Sequence, residues 1–92
     1  MTEQQIQRKI IKYLESEGHY VVKIVQATRS GIPDILSCVN GKFVGIEVKR
    51  PETVNNVSPL QLHNLCKITD TKGIAFVATS VADVERVLKD II

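Results

Sequence analysis

The sequence predicts an α/β protein in which a mixed four-stranded sheet is flanked by three helices, in the order α-β-β-β-α-β-α. Three observations support this fold class. Apolar residues recur at helical spacing in three segments, four short β-branched or apolar runs alternate with them, and Asn40-Gly41 joins two of those runs as a tight hairpin. A chain of 92 residues has the length of one small domain, so residues 1–92 are expected to form a single unit.

The first helix is expected over residues 3–17. Thr2, followed three residues later by Gln5, forms a capping-box pattern, and apolar side chains then recur at helical spacing until Gly18. Residues 20–25 form a short, mostly β-branched run, which favours a first strand, and the polar segment after them is predicted to be a loop.

The second and third strands are predicted on either side of Asn40-Gly41, over residues 34–39 and 42–48. A two-residue turn pairs the flanking positions outward from it, so Asp34 is expected directly opposite Glu47. Side chains that face each other in this way have Cβ atoms about 4.5 to 5.5 Å apart, and two like charges there repel. Lys49 follows Glu47 by two residues, so its side chain is expected on the same side of the strand.

The remaining elements follow in order. Residues 50–57 contain a proline and two asparagines without apolar periodicity, which predicts an exposed loop. Ser58-Pro59-Leu60-Gln61 combines an N-cap, a proline in the first turn and a capping glutamine, so a second helix is expected to begin there and to end near Gly73. Residues 74–78 are apolar throughout and predict a fourth strand, and Ser80 is expected to cap a last helix.

Composition excludes several classes of protein. Cys38 and Cys66 form no Cys-x-x-Cys pair, and neither histidine lies at a ligand-like spacing, so zinc and disulfides are not expected and both thiols are predicted to be buried. The N-terminus lacks the features of a signal peptide, and the longest apolar run, residues 74–78, is too short to cross a bilayer. A cytoplasmic protein without a membrane partner is therefore expected.

The facing acids at the end of the hairpin predict a cation. A divalent ion would offset the repulsion between Asp34 and Glu47, and Mg²⁺ favours sites with one or two carboxylates plus phosphate oxygens. Glu3 lies on the apolar stripe of the first helix and can add a third acid. With these three committed to a cation, seven acids remain against twelve bases, and the resulting charge of +5 suits a phosphate-rich partner.

The strings Pro33-Asp34 and Glu47-Val48-Lys49 resemble the PD-(D/E)xK nuclease superfamily. Three longer strings are similar to the VRR-NUC family within it, in particular to its stand-alone phage and bacterial members: Ser-Gly-Ile-Pro-Asp-Ile at residues 30–35, Gly-Ile-Glu-Val-Lys-Arg-Pro at 45–51 and Ser-Pro-Leu-Gln at 58–61. The similarity extends from the first helix through the second. It implies a restriction endonuclease-like core and a single VRR-NUC-like nuclease domain.

The resemblance also implies an activity, namely metal-dependent hydrolysis of DNA phosphodiester bonds by an endonuclease with Mg²⁺ or Mn²⁺ as cofactor. Stand-alone members of this size resemble homodimeric nucleases that select branched DNA such as Holliday junctions, in a bacterial cell or a phage-infected host. The implied metal ligands are Glu3, Asp34, Glu47 and the backbone carbonyl of Val48. The implied catalytic residues are Asp34, Glu47, Lys49, which would position or activate water, and Gln61.

Several of these residues have a second interpretation. Gln61 occupies the third position of a helix, where a capping glutamine belongs whatever the function. Glu3 lies in a first helical turn, where the helix dipole favours any acid. The candidate DNA contacts are Lys23, Arg29, Ser30 and Arg50, whereas Arg8, Lys9 and Lys12 are interpreted as a solvated helix face.

Two other functions compete with the nuclease. One is a catalytically inactive DNA-binding module of the same fold, which a vacant acid position would indicate. The other is a non-enzymatic interaction domain in which Asp34 and Glu47 merely end their strands. RNA is also an open alternative to DNA, and the aliphatic residues 87–92 are a candidate part of a dimer interface.

Overall fold

The computed structural model describes residues 1–91 and consists of one four-stranded sheet with helices on both faces. The elements are α1 (Glu3–Ser16), β1 (Tyr20–Lys23), β2 (Ile35–Val39), β3 (Lys42–Val48), a 3₁₀ turn (Pro51–Thr53), α2 (Pro59–Asp70), β4 (Ile74–Ala78) and α3 (Val81–Leu88). The strand order is β1-β2-β3-β4, with β3 and β4 parallel and the other pairs antiparallel. The predicted fold class and element order are confirmed.

Both predicted capping boxes are present and explain where α1 and α2 begin. The Thr2 hydroxyl accepts the Gln5 N–H at 3.1 Å, and the Gln5 side chain accepts the Thr2 N–H at 2.8 Å. Ser58 and Gln61 repeat this exchange at 3.2 and 2.9 Å. These contacts satisfy N–H groups that a helix otherwise leaves unpaired.

Some boundaries differ from the prediction. The first strand ends at Lys23 rather than at residue 25, and the second begins at Ile35 rather than at Asp34, whose carboxylate accepts the Val48 N–H of β3. The expected loop at residues 50–57 contains a 3₁₀ turn, which Pro51 begins. The helix α2 ends at Asp70, three residues before Gly73.

The hairpin has the predicted register. Val39 pairs with Lys42, and the pairing continues outward to Ile35 with Ile46. The turn residues Asn40 and Gly41 have φ values of +52° and +81°, the left-handed pair that a type I′ turn needs. This register fixes which side chains of β3 share a face with Glu47.

The core lies between the sheet and a layer formed by α1 and α3. It consists of side chains that are nearly or fully buried: Ile6, Ile10, Leu14, Ile35, Val39, Val44, Ile46, Val48, Ala78, Val84 and Leu88. Full burial of one such aliphatic side chain contributes about 1.5 to 3 kcal/mol to stability. Leu88 therefore belongs to the core of its own chain. Ile92, the last of the residues considered for a dimer interface, lies outside the described residues.

The opposite face of the sheet is only half covered. The helix α2 packs on β3 and β4, where Ile68 and Pro33 approach Gly45 so closely that a Cβ there would lie 3.0 Å from Ile68 and 3.2 Å from Pro33. One helix is about 10 Å wide and strands lie about 4.8 Å apart, so it can cover only about two strands. The uncovered part, here called the open sheet face, consists of Tyr20, Val22, Leu36, Cys38 and Phe43.

The prediction that both cysteines are buried is wrong. Cys38 is exposed because its side of β2 belongs to the open sheet face, and Cys66 is exposed on α2. Both thiols are free within residues 1–91, as expected from their spacing. In the same part of the chain, no helix has the length and apolar character needed to cross a bilayer.

Candidate metal centre

Asp34 is held between two neighbouring strands. Its backbone carbonyl accepts the N–H of Ile24 at 2.8 Å, and its carboxylate oxygen Oδ2 accepts the N–H of Val48 at 2.8 Å. The second contact crosses the hairpin from the start of β2 to the end of β3. The Asp34 carboxylate is therefore fixed against β3 beside Glu47, as the hairpin register predicts.

Glu47 is a buried acid on the face that α2 covers. Only 3% of it is exposed. Its Oε2 accepts a hydrogen bond from Nε2 of Gln61 at 3.1 Å and lies 4.0 Å from Nζ of Lys49, which is 12% exposed. Asp34, Glu47, Lys49 and Gln61, the predicted catalytic residues, thus lie together at one end of the sheet.

The surroundings of Glu47 favour its neutral form. Burial, and then the charge of the nearby Asp34 carboxylate and a side-chain hydrogen bond with it, raise the pKa of Glu47 to about 8, although Lys49 acts in the opposite direction. One lysine therefore does not neutralise this pair of acids. The raised pKa means that Glu47 favours its protonated form at neutral pH, and a cation bound beside it would replace that proton.

Gln61 both caps α2 and contacts the candidate metal centre. Its Oε1 accepts the Ser58 N–H, which completes the capping box, while its Nε2 donates to Glu47. A single amide can do both because its acceptor and its donors are separate atoms. The same residue therefore starts α2 and fixes the orientation of the buried carboxylate.

Comparing Gln61→Ala with Ser58→Ala should separate these two roles. Both variants lose the capping box, so we expect each to lower the free energy of unfolding by about 0.5 to 2 kcal/mol. Only Gln61→Ala also removes the donor to Glu47, so only this variant should weaken Mn²⁺ binding, by roughly tenfold as for other residues that orient a ligand. Thermal denaturation and titration calorimetry measure the two effects. Equal Mn²⁺ affinities in the two variants would leave Gln61 with a capping role alone.

The loop before Asp34 is clamped onto the start of α2. Gly31 has a φ of +81°, and a Cβ at this position would lie 2.7 Å from the carbonyl carbon of Leu60 and 2.9 Å from the Gln61 nitrogen. Asn64 donates to the carbonyls of Ser30 and Leu60 at 3.2 and 2.9 Å. Only glycine allows this approach, so the loop that carries Asp34 and the helix that carries Gln61 hold each other in place.

Sequence reasoning missed the clamp that Gly31 and Asn64 form, and it did not single out the buried Gln7. Gly31 precedes Ile32-Pro33-Asp34, and a glycine just before such a string is a recognisable signal for a tight backbone position. Asn64 carries no such signal, because its contact to the loop spans 34 positions of the chain. Gln7, one helical turn after Glu3, is buried, and its Oε1 has no hydrogen-bond partner within residues 1–91.

The other two predicted metal ligands are Glu3 and the backbone carbonyl of Val48. Glu3 lies at the start of α1, near enough for its charge to contribute to the raised pKa of Glu47. Yet within residues 1–91 no three His, Cys, Asp or Glu side chains come together as a possible metal site. Val48 uses its N–H to orient Asp34, and the role of its carbonyl stays a prediction, as does that of Glu3.

The candidate DNA contacts lie on the surface around this end of the sheet. Lys23 is the exposed last residue of β1, and Arg29 and Ser30 belong to the loop that Asn64 clamps. Arg50 directly follows Lys49, and its guanidinium lies 3.8 Å from the carboxylate of Glu52. Their contact with DNA stays a prediction.

The donor set fits a small, hard divalent cation. Among the described residues, Asp34 Oδ1 and Glu47 Oε1 accept no N–H donor, whereas the other oxygen of each carboxylate does. Mg²⁺ commonly binds to one or two carboxylates and keeps the remaining positions for water and substrate phosphate. Zinc sites with three or four protein ligands do not match two oxygen-donating side chains.

All three helices begin at this end of the molecule. Gln61 in the first turn of α2 reaches Glu47, and residues 79–82 at the start of α3 line a groove with Met1 and Ile6 of the α1 start. Each helix start carries a partial positive charge of roughly half a unit. The positive ends of the helix dipoles therefore lie at the end of the sheet that holds the carboxylate pair, and they favour anions there.

Comparisons with known proteins bear on the family and the fold. A family model described as archaeal Holliday junction resolvase (Hjc) matches residues 3–92. A solved structure entitled "VRR_NUC domain" is similar with a TM-score of 0.79 and 26% sequence identity, over 97% of this chain and 97% of that one. No curated protein matches the chain.

Proposed function

The chain belongs to the archaeal Holliday junction resolvase (Hjc) family, and we propose that it is an endonuclease that hydrolyses DNA phosphodiester bonds with a divalent cation bound by Asp34 and Glu47. The resemblance to VRR-NUC nucleases is confirmed by the similar structure, and both similarities indicate a nuclease. One observation supports the cation above all. Two carboxyl groups are held together beside a lysine, in surroundings that raise the pKa of Glu47 to about 8.

The protein's own residues assemble the site before a substrate arrives. The Val48 N–H orients the Asp34 carboxylate through a hydrogen bond, and the Gln61 amide orients the Glu47 carboxylate in the same way. The Lys49 ammonium lies beside Glu47, where it can orient a water molecule or stabilise charge on a phosphate oxygen. A divalent cation held by Asp34 and Glu47 would polarise the scissile phosphate and lower the pKa of a nearby water molecule. The water oxygen would bond to phosphorus as the bond to the leaving sugar oxygen breaks, and that oxygen would depart as a protonated hydroxyl, with no covalent enzyme intermediate.

The proposed substrate is branched DNA, such as a Holliday junction, bound through its backbone. The matching family is named for that substrate. The positive ends of the helix dipoles near the carboxylate pair favour phosphates, and attraction of this kind does not read bases. The net charge outside Glu3, Asp34 and Glu47 is +5, which favours a polyanion.

A cleavage assay tests the proposal directly. Four-way junction, flap, splayed-arm and linear duplex DNA would be incubated with the protein and Mg²⁺, Mn²⁺ or EDTA, with an RNA substrate in parallel. We expect metal-dependent cleavage that is fastest on the four-way junction. Tight junction binding without cleavage under any metal condition would instead support the inactive DNA-binding module, and neither binding nor cleavage would support the interaction domain.

We also propose that the chain acts as a homodimer through the open sheet face. Cutting paired strands requires two active sites, and this face has the chemistry of a protein interface. Tyr20 and Phe43 are 70% and 50% exposed, and the side chains of the face are uncharged, so it offers nothing to a DNA phosphate. A second copy can cover it in a two-fold arrangement that buries the same apolar side chains on both chains.

Replacing Phe43 with Glu should convert the dimer to a monomer, because each dimer would bury two unpaired carboxylates. Sedimentation velocity across a range of protein concentrations measures this change. Leu62→Glu is the matched control, since Leu62 is 54% exposed on α2 and does not belong to the open sheet face. A wild-type monomer, or dissociation by Leu62→Glu but not by Phe43→Glu, would contradict this interface.

A further inference from the structure

The solvent side of α1 carries an uninterrupted cluster of positive charge. Arg8, Lys9 and Lys12 are all exposed, and none of them forms an ion pair with another residue of the part of the chain that the structure describes. No acid lies between Glu3 and Glu15. These three cations are here called the α1 basic face.

Helix stability does not explain the α1 basic face. The dipole favours cations in the last turn of a helix, yet the last turn of α1 contains no base and the helix ends with Glu15 and Glu17 nearby. Arg8 and Lys12 are separated by one turn, where like charges repel and weaken a helix. The arrangement therefore costs some stability in the free protein, and a bound anion would offset that cost.

The shape of this surface suits an extended ligand. Met1, Gln5 and the three cations line an open groove of about 360 Å³. Lys9 also borders a second groove, which continues to the start of α3 at residues 79–82. The start of α1 lies near the carboxylate pair, and the α1 basic face continues from there along the helix.

We propose that the α1 basic face binds the phosphates of a DNA arm that continues beyond the cleaved bond, an inference that rests on the proposed nuclease function. Arg8 and Lys12 are about 6 Å apart along the helix axis, since each residue rises about 1.5 Å. One strand of B-DNA advances about 3.4 Å per nucleotide, so two nucleotide steps match one step between these cations. Glu3, at the head of the same helix, lies near enough to the cleavage site for its charge to act on Glu47.

The α1 basic face and the carboxylate pair then have different tasks, and this side of α1 is more than a solvated helix face. The carboxylate pair determines where a phosphodiester is cut, whereas the α1 basic face determines how strongly the adjoining arm is held. Since these cations contact phosphates and not bases, they add affinity without adding sequence preference.

The test replaces all three cations by glutamine, as Arg8→Gln, Lys9→Gln and Lys12→Gln in one variant. Binding of a four-way junction would be measured in EDTA across a series of NaCl concentrations. Each phosphate contact contributes about 0.9 to the slope of log K against log salt, so the slope should become shallower by about 2 to 3. At about 0.1 M NaCl we expect affinity to fall by between about tenfold and a few hundredfold.

The control removes the same charge at the opposite end of the sheet, as Lys42→Gln, Lys67→Gln and Lys89→Gln. All three of these lysines are exposed. The inference is overturned if the α1 variant keeps the wild-type slope, or if the control lowers the slope equally, since net charge alone would then be responsible. Failure of the proposed function is distinct, because the wild-type protein itself would then fail to cleave the junction under every metal condition, whereas the slope is measured on binding in EDTA.

Discussion

Replacing Asp34 with Asn is expected to lower the rate of DNA hydrolysis by about a thousandfold or more. The substitution keeps an oxygen to accept the Val48 N–H, so the loop and β3 stay in place, but it removes one of the two anionic side chains proposed to bind the cation. Metal ions contribute several kcal/mol to stabilising a transition state, and about 4 kcal/mol corresponds to a thousandfold in rate. Single-turnover cleavage of a four-way junction in Mg²⁺ measures the loss.

The matched control for Asp34→Asn is Glu52→Gln, which removes the same charge from an exposed acid close to the site. This control should cleave at nearly the wild-type rate. Titration calorimetry provides an independent readout, because Mn²⁺ binding should disappear in Asp34→Asn and persist in Glu52→Gln. Wild-type Mn²⁺ affinity in Asp34→Asn would remove Asp34 from the metal centre.

The free energy of unfolding of the metal-free protein is expected to fall as the pH rises from about 5 to 8. Burial and the Asp34 carboxylate raise the pKa of Glu47 to about 8 from an ordinary value of 4.5. A group whose pKa is higher in the folded state stabilises the fold below its unfolded pKa, and that stability is lost as the pH rises through the folded pKa. A tenfold change in an acid's dissociation constant corresponds to about 1.4 kcal/mol, so the loss should be at least about 2 kcal/mol.

Thermal denaturation in EDTA between pH 5 and pH 9 measures this effect. For a domain of this size, about 2 kcal/mol lowers Tm by roughly 10 °C. Glu47→Gln should abolish the decline, since glutamine resembles the neutral acid in shape and cannot lose a proton. Mn²⁺ should also remove the decline, by replacing the proton on Glu47, so the stabilising effect of Mn²⁺ should grow with pH. A flat profile for the wild-type protein would contradict the coupling of Glu47 to Asp34.

Asp83 provides an internal contrast to Glu47. Hydrogen bonds from the Thr79 backbone, the Thr79 hydroxyl and Arg86 lower the pKa of Asp83, although burial acts against them. Its contribution to stability is present above its unfolded pKa and is lost only as the pH falls through the folded value. Because that window lies below about pH 4, the decline between pH 5 and 8 belongs to the candidate metal centre and not to the start of α3.

The carboxylate pair illustrates how a functional site can lower stability. Two acids, one of them buried, repel each other in the metal-free protein, and surrounding contacts hold them in place nevertheless. These contacts are the Val48 N–H on Asp34 and the Gln61 amide on Glu47, supported by the clamp between Gly31 and the start of α2. Variants that relieve the repulsion, such as Glu47→Gln, are expected to gain stability while they lose the metal.

Short-range rules were sufficient for much of the fold and for the centre of the site. The Asn40-Gly41 turn determines the register of β2 and β3, because its backbone angles admit only that pairing, and the register brings Asp34 to Glu47. Ser58 and Gln61 determine where α2 begins, since the capping atoms lie within three residues of each other. Such features depend on neighbours in the chain, which the sequence displays directly.

Only the tertiary structure decided which surfaces are covered and which distant residues meet. One helix is wide enough to cover only about two strands, and its placement over β3 and β4 exposes Cys38 and creates the open sheet face. The clamp from Asn64 to Ser30 and the second role of Gln61 likewise depend on where α2 docks. The packing of whole elements sets these contacts. Bringing distant segments together costs chain entropy, and the summed burial of many side chains offsets that cost. No local sequence pattern displays this balance.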